Sequence, residues 1–247
     1  MDRLTLLGLL LAVVAVVVGS ILKGAGVAAL LSIAALLIVL VGTVAAVLVQ
    51  TPESTLRRAI AMSSWMLNPP PSVDGSVIAR LVGLSRTTRR SGLLGLEPEI
   101  EQLEDPLMRR GLQLVVDGTD PERVRSIMEI ELDAREDAEM AAARVFESMG
   151  VYAPTLGIIG AVLGLMTVMQ NLEDPRLLGQ GIAAAFTATV YGIGFANLLF
   201  LPTAGKLRSL IQFETRRRIM IIDGLAAVAQ GENPRVLEAR LKGYLST

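Results

Sequence analysis

The sequence predicts an all-α membrane protein. Four transmembrane helices are expected, with a helical cytoplasmic domain between spans 2 and 3 and a cytoplasmic C-terminal tail. Three observations carry this. Four apolar runs, at residues 4–22, 27–49, 151–172 and 177–204, contain no charged side chain, and each has about the 20 residues that a bilayer-spanning helix needs. Of the 247 residues, 52% are hydrophobic and only 4% aromatic, a balance foreign to soluble domains. Of the 23 Lys and Arg residues, 21 fall on one side of the implied membrane, and only Lys23 and Arg176 on the other. The positive-inside rule then puts both termini and both large polar stretches in the cytoplasm of a multi-pass membrane protein.

The elements follow in chain order. A cleaved signal peptide would have a shorter apolar region and a small-residue cleavage site. Residues 4–22 instead lead through Lys23-Gly24-Ala25-Gly26 straight into a second apolar run, so the first run is read as a retained span. Residues 1–49 thus hold spans 1 and 2. From 50 to 150 charges and prolines appear throughout, without the alternating pattern of a sheet. Asn68-Pro69-Pro70-Pro71 is expected to break the helix leaving span 2. Asp105-Pro106, Asp120-Pro121 and Asn233-Pro234 read as helix starts, with Asp or Asn as cap and Pro in the first helical position. The helix from 121 is expected to run into span 3. Residues 151–204 form a hairpin of two spans, and 205–247 a polar tail closed by an amphipathic helix.

Composition removes many functions. With no cysteine and no histidine, disulfides, iron–sulfur clusters, ordinary zinc sites, Ser-His-Asp triads and Cys-His pairs are excluded. No Walker loop or dinucleotide fingerprint is present. No catalytic residue, metal site or cofactor is expected. The net charge of −1 argues against nucleic acid as a partner.

No span carries an acid or a base. Intramembrane carboxylates are costly and are kept for function, so a cation path here requires a partner that brings the titrating group. Small residues provide a surface: Ala184, Ala188, Gly192 and Ala196 in span 4, and Ala153, Gly157 and Ala161, with Gly160 and Gly164, in span 3. Such stripes let helix backbones approach in lipid, and their presence on both helices favours contacts beyond the hairpin. Thr187, Thr189 and Tyr191 add hydroxyls, although membrane threonines mostly bond their own preceding carbonyls. Pro154 and Pro202 are expected at one cytoplasmic depth, each freeing a carbonyl, as a hinge between spans and cytoplasmic domain.

These residues resemble the A-subunit of the flagellar motor stator, the MotA/PomA family, in its shorter, PomA-like branch. The resemblance is carried by Tyr152-Ala153-Pro154-Thr155-Leu156-Gly157-Ile158-Ile159-Gly160, Asp174-Pro175, Thr189-Val190-Tyr191-Gly192, Leu201-Pro202, Asp223-Gly224 and Gly231-Glu232-Asn233-Pro234-Arg235. It implies a pentameric ring of A-subunits around a dimer of MotB/PomB-type B-subunits that supply the membrane aspartate. It also implies torque on the rotor protein FliG through the cytoplasmic domain. Arg89 and Glu97 keep the family's spacing of rotor-facing charges, and Arg90 matches a second basic position. Pro98 and Ile100 stand where that branch has further acids, with Glu99 and Glu101 out of register. In the resemblance, sodium-type members have a hydroxyl residue where this chain has Ala161, which offers no oxygen ligand; Thr189 offers one, but proton members share it, so Ala161 implies a proton path. The alternative is the related ExbB/TolQ class of proton-driven energisers of outer-membrane processes. Those proteins typically have three spans, which the Lys23 turn disfavours.

Overall fold

The structure is a computed structural model that describes residues 3–24, 26–70, 75–170 and 175–245. Ala25, Pro71 and the 171–174 turn that joins spans 3 and 4, with Asp174, lie outside the described residues. Every regular element among those described is helical. Four helices are long and apolar enough to cross a membrane: Leu4–Leu22, Ile33–Gln50, Pro121–Gln170 and Leu178–Ala229. The chain divides into two compact units, Met1–Pro69 with Glu139–Arg208, and Pro70–Ala138 with Ser209–Thr247.

In the first unit, Leu4–Leu22 exposes leucines and valines on all sides, as an all-apolar helix made for lipid does. The second span begins later than the apolar run suggests. A single 3₁₀ turn, Ala28–Leu30, is followed by extended Leu31, and Ser32 caps the helix by accepting from the Ala35 N–H at 3.3 Å. The helix therefore starts at Ile33, and a π turn occupies Leu37–Val41. It ends at Gln50, because Thr51 precedes Pro52 and is forced to φ −107°, ψ 127°. Helix Glu53–Ser63 follows, so the first break comes at Pro52, ahead of the predicted break at 68–71.

Span 3 is the distal part of one uninterrupted helix, Pro121–Gln170, which carries Pro154 within it. The two prolines of the hairpin sit differently. Pro202 follows a π turn, Ala196–Phe200, where the Leu201 N–H reaches back five residues to the Ala196 carbonyl. That widening makes room for the proline ring, which in a regular helix collides with the carbonyl four residues back.

The second unit is built from a different material. Its core unites Leu81, Leu84, Leu96, Leu112, Val115, Met128, Ile221, Leu225 and Leu237, all with almost no exposure. They come from helices Gly75–Ser91, Pro106–Val116 and Pro234–Lys242, from the 3₁₀ turn Leu93–Leu96 and from parts of the two long helices. The three Asx-Pro starts form as predicted. Asp105 accepts from Leu107 and Met108 N–H at 2.9 and 3.1 Å, Asp120 from Glu122 at 3.0 Å, and Asn233 from Arg235 at 3.0 Å. Asp105 is also bound by Arg217 at 2.7 Å, and Arg217 with the nearly inaccessible Arg218 encloses Glu214, at 2.9 and 3.2 Å. Burial alone would raise the Asp105 pKa, but the Met108 N–H and Arg217 outweigh it and hold the carboxyl below its ordinary range. Asp223 is likewise pulled down against its burial, by the Tyr244 hydroxyl at 2.6 Å and Arg125 at 2.5 Å. Burial first, and then the Asp223 carboxylate, push Tyr244 up to about 12.

Candidate ion-path site

The hairpin of spans 3 and 4 is held by backbone contact. A Cβ on Gly157 would lie 2.9 Å from the Ala188 carbonyl oxygen, and one on Gly192 would lie 2.6 Å from that of Ala153. Further along, Gly164 meets Ala185 and Gly181 at 2.9 Å. These pairings run antiparallel, and they bury Ala153, Ala185, Ala188 and Ala196. Most of the small residues therefore pack the two spans of one chain on each other, while Ala161 and Ala184 lie off that seam. The strict four-residue stripes also miss the true seam. Each step of four turns a helix by about 400°, so such a row drifts 40° per step. In span 4 the seam runs Gly181, Ala185, Ala188, Gly192, Ala196, leaving Ala184 half-exposed.

That drift decides where the predicted site residues go. On a 100° per residue projection, Ala161 is displaced about 40° from Gly157, and Thr189 about 40° from Ala185, in the same rotational sense. Because the helices are antiparallel, equal rotations end on the same side of the seam. The Gly157–Ala188 and Gly164–Ala185 pairings set Ala161 and Thr189 at one level. Both are half-buried, and around them Ile158, Val162, Leu165, Ile182, Phe186 and Ile193 are exposed. The second span covers the opposite side, where Ile38 approaches Gly160. Thr189 and Ala161 thus share an open apolar face that has one hydroxyl near its middle. The Thr189 hydroxyl donates to the Ala185 carbonyl at 3.2 Å and leaves its lone pairs for another donor or ion.

Thr187 and Tyr191 do not join that face. They lie about 200° round the helix from Thr189, since a shift of two residues turns by that angle. Thr187 is buried and bonds the Ala183 carbonyl at 2.9 Å. Tyr191 donates to the Leu30 carbonyl and accepts from the Ser32 N–H at 3.4 Å, which ties span 4 to the delayed start of span 2. The depth of the prolines also differs from expectation. Pro154 lies beside Gly192, while Gly150 lies beside Leu201. Pro202 is therefore offset from Pro154 by roughly 10 Å, from the 1.5 Å rise per residue. Two partners went unread in the sequence: Tyr152, which donates to the Gln50 side chain at 2.8 Å, and Arg208, ion-paired with Glu147. Nothing local in the sequence announces either contact, because each joins segments far apart in the chain.

In the second unit Arg89 and Arg90 end helix Gly75–Ser91, Gly92 reverses the chain at φ 74°, and Glu97 opens the short helix Glu97–Ile100. All three charged residues are exposed, and none makes an ion pair with a described residue. Glu99, out of register in the sequence, is taken by Arg80 at 3.1 Å.

A long-helix chain with four candidate spans, whose apolar runs carry no acid, is a membrane-channel subunit by class: the profile of the MotA/TolQ/ExbB proton channel family matches residues 99–220. Motility protein A of Bacillus subtilis is 37% identical over 99% of this chain and 91% of its own length. The chemotaxis protein PomA of Vibrio alginolyticus is 33% identical, covering 100% and 96%. The solved flagellar MotAB stator complex from Bacillus subtilis contains a chain that superposes with a TM-score of 0.90 at 36% identity, covering 99% of this chain and 96% of that one. The chain belongs to the MotA/PomA family of flagellar stator A-subunits, a family of channel and stator subunits and not of enzymes.

Proposed function

We propose that the chain forms a pentameric ring around a dimer of MotB/PomB-type B-subunits, conducts protons across the inner membrane and turns their flow into torque on the rotor protein FliG. In this reading residues 50–150 and 205–247 are cytoplasmic, with both termini, and 151–204 line the ion path. The observation that carries it is the open face of the hairpin. It lies in lipid-spanning helices that have no acid or base, and it sets Thr189 level with Ala161. A B-subunit helix bearing a carboxylate fits that need. The match to a chain of a MotAB complex supports the same partner.

Ala161 supplies no oxygen, and Thr189 only one. A dehydrated sodium ion takes several oxygen ligands, whereas a proton needs a hydrogen-bond chain, so protons are the ion proposed. Pro154 and Pro202 serve as coupling points at two depths, and Arg89, Arg90 and Glu97 as the rotor-facing charges, being exposed and without an ion pair among the described residues. In a strain lacking stators, the chain co-expressed with a B-subunit should restore swimming in low sodium, and a protonophore should stop it. Swimming that needs a sodium gradient and survives proton collapse overturns the ion assignment. Pro154→Ala and Thr189→Val should abolish swimming while co-purification with the B-subunit persists. Untouched swimming in both removes the ion-path reading. A tag at residue 24 should be reached from the periplasm, and a cytoplasmic location there breaks the topology.

A further inference from the structure

A groove runs through the first unit between spans 1 and 4, away from the seam just described. Its upper stretch, a cavity of about 330 Å³, is lined by Leu9, Val13, Val16, Phe195, Leu198 and their apolar neighbours. Tyr191 borders it, but its hydroxyl is spent on the Leu30 carbonyl. The lower stretch, about 570 Å³, shares Leu9, Ala12, Leu198 and Leu199 with the upper one and then changes character. Thr5, Ser63, Asn197, Thr203 and Lys206 line its end. The Lys206 ammonium donates there to the Thr5 hydroxyl and, at 3.1 Å, to the Met66 carbonyl.

From these features we infer that the groove is a binding site for an anionic phospholipid of the cytoplasmic leaflet, with the phosphate at Lys206 and an acyl chain along spans 1 and 4. The polar end lies on the side where Lys and Arg concentrate, which is where an inner-leaflet headgroup sits. From Lys206 to Tyr191 span 4 rises by roughly 22 Å at 1.5 Å per residue. That reaches beyond one leaflet of hydrocarbon, about half of the ~30 Å core, so an acyl chain fits along the apolar stretch. A neighbouring protein helix would cover apolar surface equally well, but it would gain nothing from a cation placed at one end. The inference uses the orientation proposed above and is independent of the B-subunit and of the ion.

The test is photo-labelling of the purified complex of this chain with its B-subunit, in nanodiscs. Phosphatidylglycerol and phosphatidylcholine probes, each with a photoreactive acyl chain, are compared by mapping labelled peptides. Phosphatidylglycerol should label spans 1 and 4 about fivefold more than phosphatidylcholine, the value of one Lys near an anionic headgroup. Lys206→Gln should bring the two to parity, and Lys206→Arg should restore the preference. Gly194 borders the upper stretch, and a Cβ there meets nothing within 4 Å. Gly194→Leu should therefore reduce labelling by both probes without loss of complex. Equal labelling of the unaltered protein by both probes, or labels that avoid the groove because a neighbouring chain fills it, overturns the inference. A complex whose Lys206→Gln form keeps its phosphatidylglycerol preference does the same.

Discussion

The two units of this chain solve the packing problem in opposite ways. In the hairpin the helices touch through backbone, with Gly157 and Gly192 where any side chain would collide with a carbonyl. In the polar unit helices stand off on leucine, isoleucine and methionine, and a buried Glu214 is clasped by two arginines. The difference follows from the surroundings. In water, burying large apolar side chains is what drives association. In lipid that gain vanishes, and close van der Waals contact is what remains. The hairpin should therefore be intolerant of added volume, and the polar unit of lost volume or lost charge.

The sharpest break of this contrast is Gly192→Val set against Gly194→Val. Two residues apart on one helix, a Cβ added at the first would lie 2.6 Å from the Ala153 carbonyl oxygen, and one at the second would meet open space. Overpacking costs about 1–3 kcal/mol even where side chains can yield, and a backbone carbonyl yields less. Gly192→Val should abolish swimming and reduce the amount of assembled complex, while Gly194→Val should leave both near normal. Equal effects would mean that the seam is not close-packed.

In the polar unit Glu214→Ala should be the most damaging single change. It removes the buried carboxylate that both Arg217 and Arg218 bind, leaving Arg217 its contact with Asp105, a loss of about 3–5 kcal/mol. Thermal unfolding of the complex reads it, and adding Arg217→Met with Arg218→Met should recover part of the loss. Asp105→Asn should cost less, roughly 1–2 kcal/mol, between the values of an exposed and a buried pair, because Asn caps the helix as well as Asp.

The pH dependence has a definite sign. The Asp105 and Asp223 carboxyls have folded pKa values below the ordinary 3.8. Their contribution is fully present above that value and is lost as pH falls through the lower folded values. Circular dichroism during acidification should show the loss beginning below about pH 3.8 and made shallower by Asp105→Asn. Smallest of all is Arg57→Ala. Its pair with Glu53 is exposed, at 79% and 76%, and its removal should shift stability by under about 0.5 kcal/mol.

Much of the fold was legible because its signals are local. Apolar runs of bilayer length, the Asx-Pro starts at 105, 120 and 233 and the one-sided Lys/Arg distribution each lie within a few neighbouring residues or a simple count. The candidate site was legible only in part. Thr189 and Ala161 share one side of the seam because two antiparallel helices pair residues whose numbers run in opposite directions, and that register is set where Gly157 and Gly192 approach. Thr187 and Tyr191 look like companions of Thr189 on paper, yet a two-residue step carries them to the other side of the helix.

The sequence by itself determined that this chain has four runs long and apolar enough to cross a membrane, that its Lys and Arg residues gather outside those runs, and that the runs carry no acid or base. Those properties follow from composition and from the solvent that each run can tolerate. Only the tertiary structure decided which of the small residues close the hairpin on itself, that Pro154 and Pro202 lie at different depths, and that one open face holds Thr189. A helix repeats every 3.6 residues and the rows every four, so their faces drift apart, and the contact between the two spans selects which face is used.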